Sequence, residues 1–264
     1  MIDDLNISII TVVYNAKEDL EKTIHSILNQ TYKNIEFIII DGSSTDGTVD
    51  IINKYDANIN NWVSEKDKGI YDAMNKGANL ANGDFIVFMN AGDIFYENNT
   101  IEKFINNIDD TDKVYFGRAK INSNISSWQY PNMQYNINNI DIWLQDNLPN
   151  HQAMFFPKIF YKSYKYNLDY KIGSDSDYKF QSQSECGFIF LDEVISQFDF
   201  GGISSEFNSF KNTKQILKDS WYISMKHKGL LYALKRQFRI ITKYIISCIF
   251  GNNLLKSILK RLRG

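Results

Sequence analysis

The sequence contains few cysteines and histidines and lacks a long apolar run. Its two cysteines, Cys186 and Cys248, are far apart and follow no metal-binding or redox spacing, which favours a reducing compartment and argues against a disulfide framework. Three scattered histidines predict no zinc site. The sequence has no run of about 18 apolar residues, so it predicts no membrane-spanning helix. The first residues show no basic leader, so we expect no signal peptide.

The sequence also lacks several catalytic signatures and is sparing with proline. It contains no Walker loop, no GxGxxG fingerprint and no Ser-His-Asp order. With three prolines in the chain, no proline-rich linker marks a domain boundary. Its 264 residues, 44% hydrophobic and 23% charged, are typical of a soluble globular protein with one core, or one core and an appendage.

Acidic residues are absent from the C-terminal part of the chain, although the net charge is only −2. Ten Lys and Arg residues follow Asp219, whereas the first 219 residues carry 19 basic and 31 acidic side chains. Apolar residues interleave with the basic ones, a pattern typical of amphipathic helices on an anionic membrane surface. Packing against the rest of the protein, a homodimer contact and nucleic-acid affinity are the alternatives, and we expect no nucleic-acid partner.

The order of the segments indicates an α/β protein with a mostly parallel central sheet and flanking helices. Buried strands are predicted at residues 6–13, 35–40, 61–64 and 84–89, with amphipathic helices between them. Further strands are predicted at 114–119 and 125–130, a helical or mixed region at 159–187, and helices from 207 onward.

Two carboxylates follow predicted strands, at the edge where such sheets bind ligands. Asp41 follows the second strand and could accept a hydrogen bond from a nucleoside, or it could cap the next helix. Asp93 follows Asn90-Ala91-Gly92 at the end of the fourth, where it could hold Mg²⁺ or Mn²⁺ against a diphosphate. Alternatively, Asp93 caps the turn that follows the strand.

Two further polar clusters stand out. The first contains Asp67, Asn75 and Lys76 around glycines, and its lysine could neutralise a diphosphate, although most such clusters are solvated helix faces. The second carries Asp175 and Asp177 at a helix start, where one carboxylate could take a proton from an acceptor hydroxyl. From spacing alone, a helix cap and a first-turn acid are the better explanation of this pair.

Taken together, the segments resemble family 2 glycosyltransferases of the GT-A fold, of the bacterial polysaccharide-assembly type. The resemblance covers about the first 205 residues. It rests on five segments in order: SIITVVYNAKEDLEKTIHSILNQTYKNIEFIIIDGSSTDGT, SEKDKGIYDAMNKGANLANGDFIVFMNAGD, NHQAMFF, KIGSDSDYKF and FDFGGIS. It implies a nucleotide-sugar-binding half at 1–112, an acceptor half at 113–205, and a basic helical extension at 206–264.

The resemblance implies an inverting transfer from a nucleoside-diphosphate sugar, usually UDP-linked, with Mn²⁺ or Mg²⁺. The acceptor would be a glycan or a polyprenyl-linked glycan, and the enzyme would lie on the inner face of the cytoplasmic membrane. The candidate site comprises Thr11, Tyr14, Asp41, Asp67, Asn75, Lys76 and Asn90 for the donor, Asp93 for the metal, His151 and Gln152 on the acceptor side, and Asp175 as base, with Asp177 as the fallback because the extra Ser176-Asp177 leaves the register ambiguous. Gly201 and Gly202 match a loop expected to close over the diphosphate.

Three features test the resemblance against other functions. Asn90 and Gly92 replace two carboxylates usual in the metal-binding motif, so weaker metal affinity is expected. A nucleotidyltransferase would need a glycine-rich basic loop near the N-terminus, and ITVVYNAKED lacks one. A non-catalytic nucleotide-sugar or membrane-binding module would not need Asp41, Asp93 and Asp175 together.

Overall fold

A computed structural model describes residues 4–123, 126–200 and 210–263 of the chain, with side chains up to Ile249 in the last helix. The N-terminal part alternates strands and helices as the sequence predicts. The strands are β1 (Ile7–Val13), β2 (Ile35–Asp41), β3 (Asn61–Ser64) and β4 (Phe85–Phe88). The helices between them are α1 (Lys17–Leu28), α2 (Thr48–Lys54) and α3 (Ile70–Leu80).

The second part is more irregular. Its strands are β5 (Ile94–Phe95), β6 (Val114–Asn122), β7 (Ser127–Tyr130), β8 (Met154–Pro157) and β9 (Phe188–Asp199). Its helices are α4 (Thr100–Asn107), α5 (Ile140–Leu144), α6 (Lys158–Tyr161) and α7 (Ser174–Cys186). The sequence did not predict β5, β8 or β9.

All the described strands join one sheet, ordered β3-β2-β1-β4-β8-β6-β9-β5, with β7 added beside β6. The four neighbouring strands β3, β2, β1 and β4 pair in parallel, and so do β6 and β9. Strand β8 is antiparallel to both β4 and β6, and β5 to β9. The α/β class with a central sheet is confirmed, but the sheet is mixed: four of its eight described pairings are parallel, and three of these four lie between β3 and β4. Because β1 and β2 end level, Val13 beside Asp41, their loops emerge at one edge.

Hydrophobic cores on both faces explain why the strands are apolar throughout. Ile7 and Ile9 of β1 face one core, with Leu20 of α1, whereas Ile10 faces the other, with Met74 of α3. A strand buried on both sides needs no polar alternation.

Two C-terminal helices follow, α8 (Phe210–His227) and α9 (Leu230–Arg263). They pack against each other, with Ile240 of α9 buried between them beside Ile216 and Leu217 of α8. None of the helices within the described residues has a stretch long and apolar enough to cross a membrane.

Candidate active site

The first part of the candidate site lies at the ends of β2 and β3. Asp41 is fully buried at the end of β2. Its carboxylate accepts hydrogen bonds from the hydroxyls of Ser44 and Ser64 and from the backbone N–H of Ser44, at 3.0 Å for the last. Asp41 thus stabilises the turn after β2 but does not cap α2, whose N-cap residue is Gly47 and which has no side-chain cap; its nucleoside role stays a prediction.

The loops after β1 and β2 are fastened to each other. The N–H of Asn15 donates to the Ser44 hydroxyl at 2.7 Å, and the N–H of Thr45 donates to the Asn15 side chain at 2.8 Å. Asn15 and Ser43 both have positive φ, 48° and 66°, a conformation that costs energy in residues other than glycine. The reciprocal bonds hold this part of the edge in one arrangement.

Tyr14 and Asp67 lie on either side of Gly42. A Cβ at Gly42 would lie 2.7 Å from Asp67 Oδ2 and 3.2 Å from Tyr14 Cδ2, so only glycine allows this approach. The Tyr14 ring is 65% exposed, and Asp67 accepts the N–H of Gly69 at 2.8 Å. An exposed aromatic ring beside a carboxylate is suited to a nucleoside.

Three other candidate donor residues have partners within the chain. Thr11 is buried and donates to the Met89 carbonyl at 2.8 Å. The Asn75 amide exchanges two hydrogen bonds with the backbone of Tyr166, at 3.0 and 2.8 Å. Lys76 pairs with Glu65 at 2.7 Å. Thr11 and Asn75 therefore hold strand and loop in place, and their donor roles stay predictions.

Asn90 and Asp93 form one turn after β4. Asp93 is 8% exposed, and its Oδ2 accepts the N–H of Asn90 at 3.1 Å. Burial raises the pKa of Asp93 to about 7, against hydrogen bonds from Gln152 and the Asn90 backbone that lower it. The Asn90 side-chain oxygen is buried and has no hydrogen-bond partner among the described residues.

This turn suits a hard cation. A buried amide oxygen without a donor costs free energy unless something binds it, and it lies in the same turn as a carboxylate. Mg²⁺ and Mn²⁺ accept such oxygens and complete their shell with substrate phosphates. Within the described residues, no three His, Cys, Asp or Glu side chains converge as a preformed metal cage, so the phosphates would have to supply further ligands.

His151 is buried in a short 3₁₀ turn beside this site. Its ring stacks on Phe88 with centroids 4.9 Å apart, and its Nε2 shares a hydrogen bond with the Tyr166 hydroxyl. Burial, and then the charge of Lys179, lower the pKa of His151 to about 3. The imidazole is therefore neutral at physiological pH, and its neighbour Gln152 bonds Asp93.

Asp175 and Asp177 lie on opposite sides of α7, because two helical residues apart means about 200° of rotation. Asp175 pairs with Lys179 at 2.9 Å. Burial raises the pKa of Asp175, but the Lys179 charge and hydrogen bond outweigh it and lower the pKa. Asp177 is buried and bonds Lys226 at 3.0 Å and His227 at 2.7 Å, both at the end of α8.

Electrostatic contacts connect the two ends of the acceptor side. Asp175 interacts with both His151 and Tyr71, and Tyr71 donates to the Ile172 carbonyl at 2.6 Å. Asp175 therefore lies within electrostatic range of His151, whose ring stacks on Phe88 at the end of β4, close to the turn that carries Asp93. Asp177 instead bonds the end of α8, and Gly201 and Gly202 lie outside the described residues.

Sequence reasoning missed Tyr71, Tyr166, Lys179 and Asp219. Lys179 had a readable signal, since a lysine four residues after an acid in a helix faces it. The aromatic pair had none, because their partners are distant in the chain. The Asp219 carboxylate accepts the N–H groups of Ile172 and Gly173, a contact that no local pattern reveals.

Comparison with known proteins identifies the family of this chain. The model of "Glycosyl transferase family 2" matches residues 8–177. A PGL/p-HBAD biosynthesis glycosyltransferase of Mycobacterium bovis (strain BCG / Pasteur 1173P2) is 31% identical over 208 residues, 75% of this chain and 78% of that protein. The Escherichia coli UDP-Glc:alpha-D-GlcNAc-diphosphoundecaprenol beta-1,3-glucosyltransferase WfaP is 42% identical over 113 residues, 42% of this chain and 43% of that one.

Solved structures show the same fold. S. aureus TarS 1-349 in complex with UDP-GlcNAc superposes with a TM-score of 0.64 at 15% identity, over 94% of this chain and 74% of that one. The mannosyltransferase PcManGT from Pyrobaculum calidifontis, in complex with GDP-Man and Mn²⁺, superposes with a TM-score of 0.63 at 13% identity, over 98% of this chain and 75% of that one. This chain spans 44% of a longer TarS chain. The fold is GT-A, and the chain belongs to glycosyltransferase family 2.

Proposed function

We propose that this glycosyltransferase moves a sugar, with inversion, from a UDP-linked donor to a hydroxyl of a polyprenyl-linked or glycan acceptor in surface polysaccharide synthesis. The observation that carries the proposal is the turn after β4, where the buried Asp93 carboxylate lies with an Asn90 side-chain oxygen that has no hydrogen-bond partner among the described residues. The His151 ring stacks on Phe88 at the end of the same strand, so the acceptor-side segment lies next to this turn. The UDP-linked donor and lipid-linked acceptor in the name of the E. coli relative support the substrate classes.

The donor nucleoside would lie at the ends of β1, β2 and β3. Tyr14 offers an exposed ring for stacking, and Asp67 offers a carboxylate beside it across Gly42. Asp41 would accept a hydrogen bond from the base while its three protein donors keep it in place. A charge held rigidly before the ligand arrives costs little reorganisation when the ligand binds.

The diphosphate would lie next to the turn after β4. Asp93 and the Asn90 side-chain oxygen would hold Mn²⁺ or Mg²⁺ there, and the cation would stabilise the charge that builds on the departing nucleoside diphosphate. Gln152 fixes the Asp93 carboxylate from the acceptor side. We propose Asp93 as the protein's one carboxylate ligand, with Asn90 as a neutral second ligand.

Asp175 is the proposed catalytic base. Its lowered pKa keeps it ionised at physiological pH, and it is partly accessible, with 32% of its side chain exposed. It would take the proton of the acceptor hydroxyl as that oxygen attacks the sugar carbon opposite the leaving diphosphate, which gives inversion. Asp177 is the poorer candidate because Lys226 and His227 occupy its carboxylate.

Paired substitutions of these two carboxylates test the proposal. Asp175→Asn should lower transfer from UDP-sugars between about 10²- and 10⁴-fold, the usual contribution of a general base, while calorimetric UDP binding stays near that of the wild type. Asp177→Asn should lower the melting temperature more than the turnover. An active Asp175→Asn together with a folded but inactive Asp177→Asn would transfer the role of base to Asp177.

We also propose that the protein binds the inner face of the cytoplasmic membrane through α9. An outer stripe of this helix comprises six apolar residues spaced three or four apart, between 44% and 85% exposed: Leu231, Leu234, Phe238, Ile241, Ile245 and Ile249. Such spacing places them on one face. An exposed apolar face on a chain segment without acidic residues matches an anionic lipid surface.

The structure divides the tail differently from the sequence pattern. Ala233 and Ile240, which the pattern grouped with the lipid-facing residues, are buried. Lys235 and Arg239 pair with Asp146, and Arg236 donates to Ser176. Packing on the catalytic part thus uses several of the basic residues, and in the membrane proposal the apolar stripe contributes more than the described charges.

A further inference from the structure

We propose that Asp219 of α8 is a positioning residue for the catalytic base, so that the C-terminal helices belong to the active site. This inference depends on the proposed role of Asp175. Asp219 is 2% exposed in the middle of α8, far in sequence from the residues it bonds. Its Oδ2 accepts the N–H groups of Ile172 at 2.9 Å and Gly173 at 3.3 Å.

These two N–H groups lie just before α7. No side chain caps α7 at its N-cap residue, Gly173, and the first N–H groups of a helix have no partner within it. Asp219 accepts the N–H of the N-cap residue, Gly173, and of the residue before it, so it fixes the backbone that leads into α7 rather than replacing a side-chain cap, which would bond the N–H groups of residues 175 or 176. The side chain of Gln215, one turn earlier in α8, donates to Asp219 Oδ1 at 2.7 Å and orients the carboxylate.

Gly173 allows α8 to come this close. A Cβ at Gly173 would lie 3.0 Å from Ile223 Cδ1 and 3.1 Å from the Cβ of Asp219, closer than ordinary side-chain contacts. The turn is also held from the other side, because Tyr71 of α3 donates to the Ile172 carbonyl at 2.6 Å. The peptide groups two and three residues before Asp175 are thus fixed by two helices at once.

Further contacts fasten the next residues of α7 to the two C-terminal helices, α8 and α9. Arg236 of α9 donates to the Ser176 hydroxyl at 3.1 Å, and His227 at the end of α8 bonds Asp177 at 2.7 Å. The His227 ring stacks on Phe180, one turn further along α7, with centroids 5.2 Å apart. Asp175 itself pairs with Lys179 and lies within electrostatic range of His151 and Arg236.

Adjacent residues at the start of α7 would therefore have different roles. Asp175 would act on the acceptor, whereas the residues around it would fix its position by bonding α8 and α9. Since displacement by about 1 Å can cost a catalytic group much of its effect, loosening this turn should lower turnover and leave nucleotide binding intact. A purely structural role would instead reduce the amount of folded enzyme.

The test compares three full-length variants by turnover number, UDP dissociation constant and melting temperature. Asp219→Ala should lower kcat at least 20-fold with an unchanged UDP dissociation constant. Asp219→Asn, which keeps an acceptor oxygen, should recover most of that loss. Ile240→Ala is the matched control, because it opens a cavity between α8 and α9 without touching residues 172–177, and it should lower the melting temperature but not kcat per folded enzyme.

If Asp219→Ala does not fold, Gln215→Leu replaces it, with an expected kcat loss of about threefold and the same UDP affinity. Full kcat in Asp219→Ala, or in Gln215→Leu where that is the variant used, overturns the inference, as does an Ile240→Ala variant of equal melting temperature that loses kcat equally. Active Asp175→Asn would overturn the proposed base itself. The two failures are therefore separate, since the first leaves Asp175→Asn inactive.

Discussion

The donor side and the acceptor side of the site are built in different ways. On the donor side, Asp41 and Asn15 bond residues no more than 30 positions away, in loops at the ends of neighbouring strands. On the acceptor side, Tyr71 reaches Ile172 over 101 positions and His227 reaches Asp177 over 50. The contacts around Asp41 and Asn15 join the loops of neighbouring strands, whereas those on the acceptor side join α7 and the turn before it to α3 and α8, so changes in the C-terminal helices should affect transfer more than nucleotide binding.

The largest effect that separates the two sides is expected from Asp93→Asn. It removes the one proposed carboxylate ligand but keeps an oxygen that can accept the Asn90 N–H, so the fold should remain stable. Loss of the cation's charge stabilisation should lower transfer by about 10²- to 10³-fold. The measurement is turnover as a function of Mn²⁺ concentration, with a chelator-treated sample as the metal-free reference.

Asp19→Ala is the control for this change. Asp19 is an exposed carboxylate beside Gly92, on the other side of the same turn, and it pairs with Lys22. Its removal should leave the Mn²⁺ dependence unchanged. Asp93→Asn with a wild-type Mn²⁺ response would place the cation elsewhere.

Asp41→Ala should have the opposite signature, with weaker nucleotide binding and a smaller change in kcat. A buried carboxylate that accepts three hydrogen bonds also holds its turn, so we expect the UDP dissociation constant to rise about 10- to 100-fold, which corresponds to about 1.4–2.8 kcal/mol. Calorimetry with UDP measures it. Asp46→Ala removes an acceptor for two backbone N–H groups in the same loops, and it should weaken UDP binding less than Asp41→Ala. If both variants lose the same UDP affinity, Asp41 acts only by ordering the loops.

Lys179→Met should change the pH dependence of the acceptor side alone. Lys179 lowers the pKa of Asp175 against the effect of burial, so without it burial is left to raise that pKa. The catalytic carboxylate would then protonate at higher pH, and the acid limb of the kcat profile would move upward. The stability that the lowered pKa contributes, present above pH 3.8 and lost as pH falls through the folded pKa, would disappear as well.

The pH profile of kcat and the pH dependence of UDP binding measure this prediction together. The upward shift should appear in kcat, while UDP affinity keeps its wild-type pH profile. Lys162→Met serves as the control, because Lys162 bonds carbonyls at the end of α3 and touches no candidate site residue. An unmoved acid limb in Lys179→Met would remove Asp175 from the proton transfer.

The same division explains what the sequence could and could not predict. Strands β1, β2 and β4 are apolar on both faces and end in polar loops, so their positions and the placement of Asp41 and Asp93 at strand ends followed from pattern alone. Family resemblance supplied roles for them. The antiparallel β8 and the bulged pairing of β6 with β9 have no such signal, because the second part of the sheet depends on distant partners.

The limit of prediction from sequence is clearest at Asp175 and Asp177. Sequence spacing gave two carboxylates at a helix start and no means of choosing between them. The choice depends on which one α8 covers, and α8 lies about 50 positions away in sequence. The basic tail had the same difficulty, since its pattern could not separate the charges that bond Asp146 and Ser176 from those left for a membrane.

The smallest effect on chemistry is expected from the outer stripe of α9. Replacing Leu231 and Phe238 with Ser should reduce flotation of the full chain with vesicles that contain phosphatidylglycerol, because the most exposed apolar side chains would no longer enter the interface. Activity on a water-soluble acceptor should stay within about twofold, since neither residue contacts the site. Ile159→Ser, which removes an exposed apolar side chain on α6 (58% exposed), should leave flotation unchanged. Undiminished flotation of the double variant would assign the stripe to another partner and leave the acceptor side, with its α8 and α9 contacts, intact.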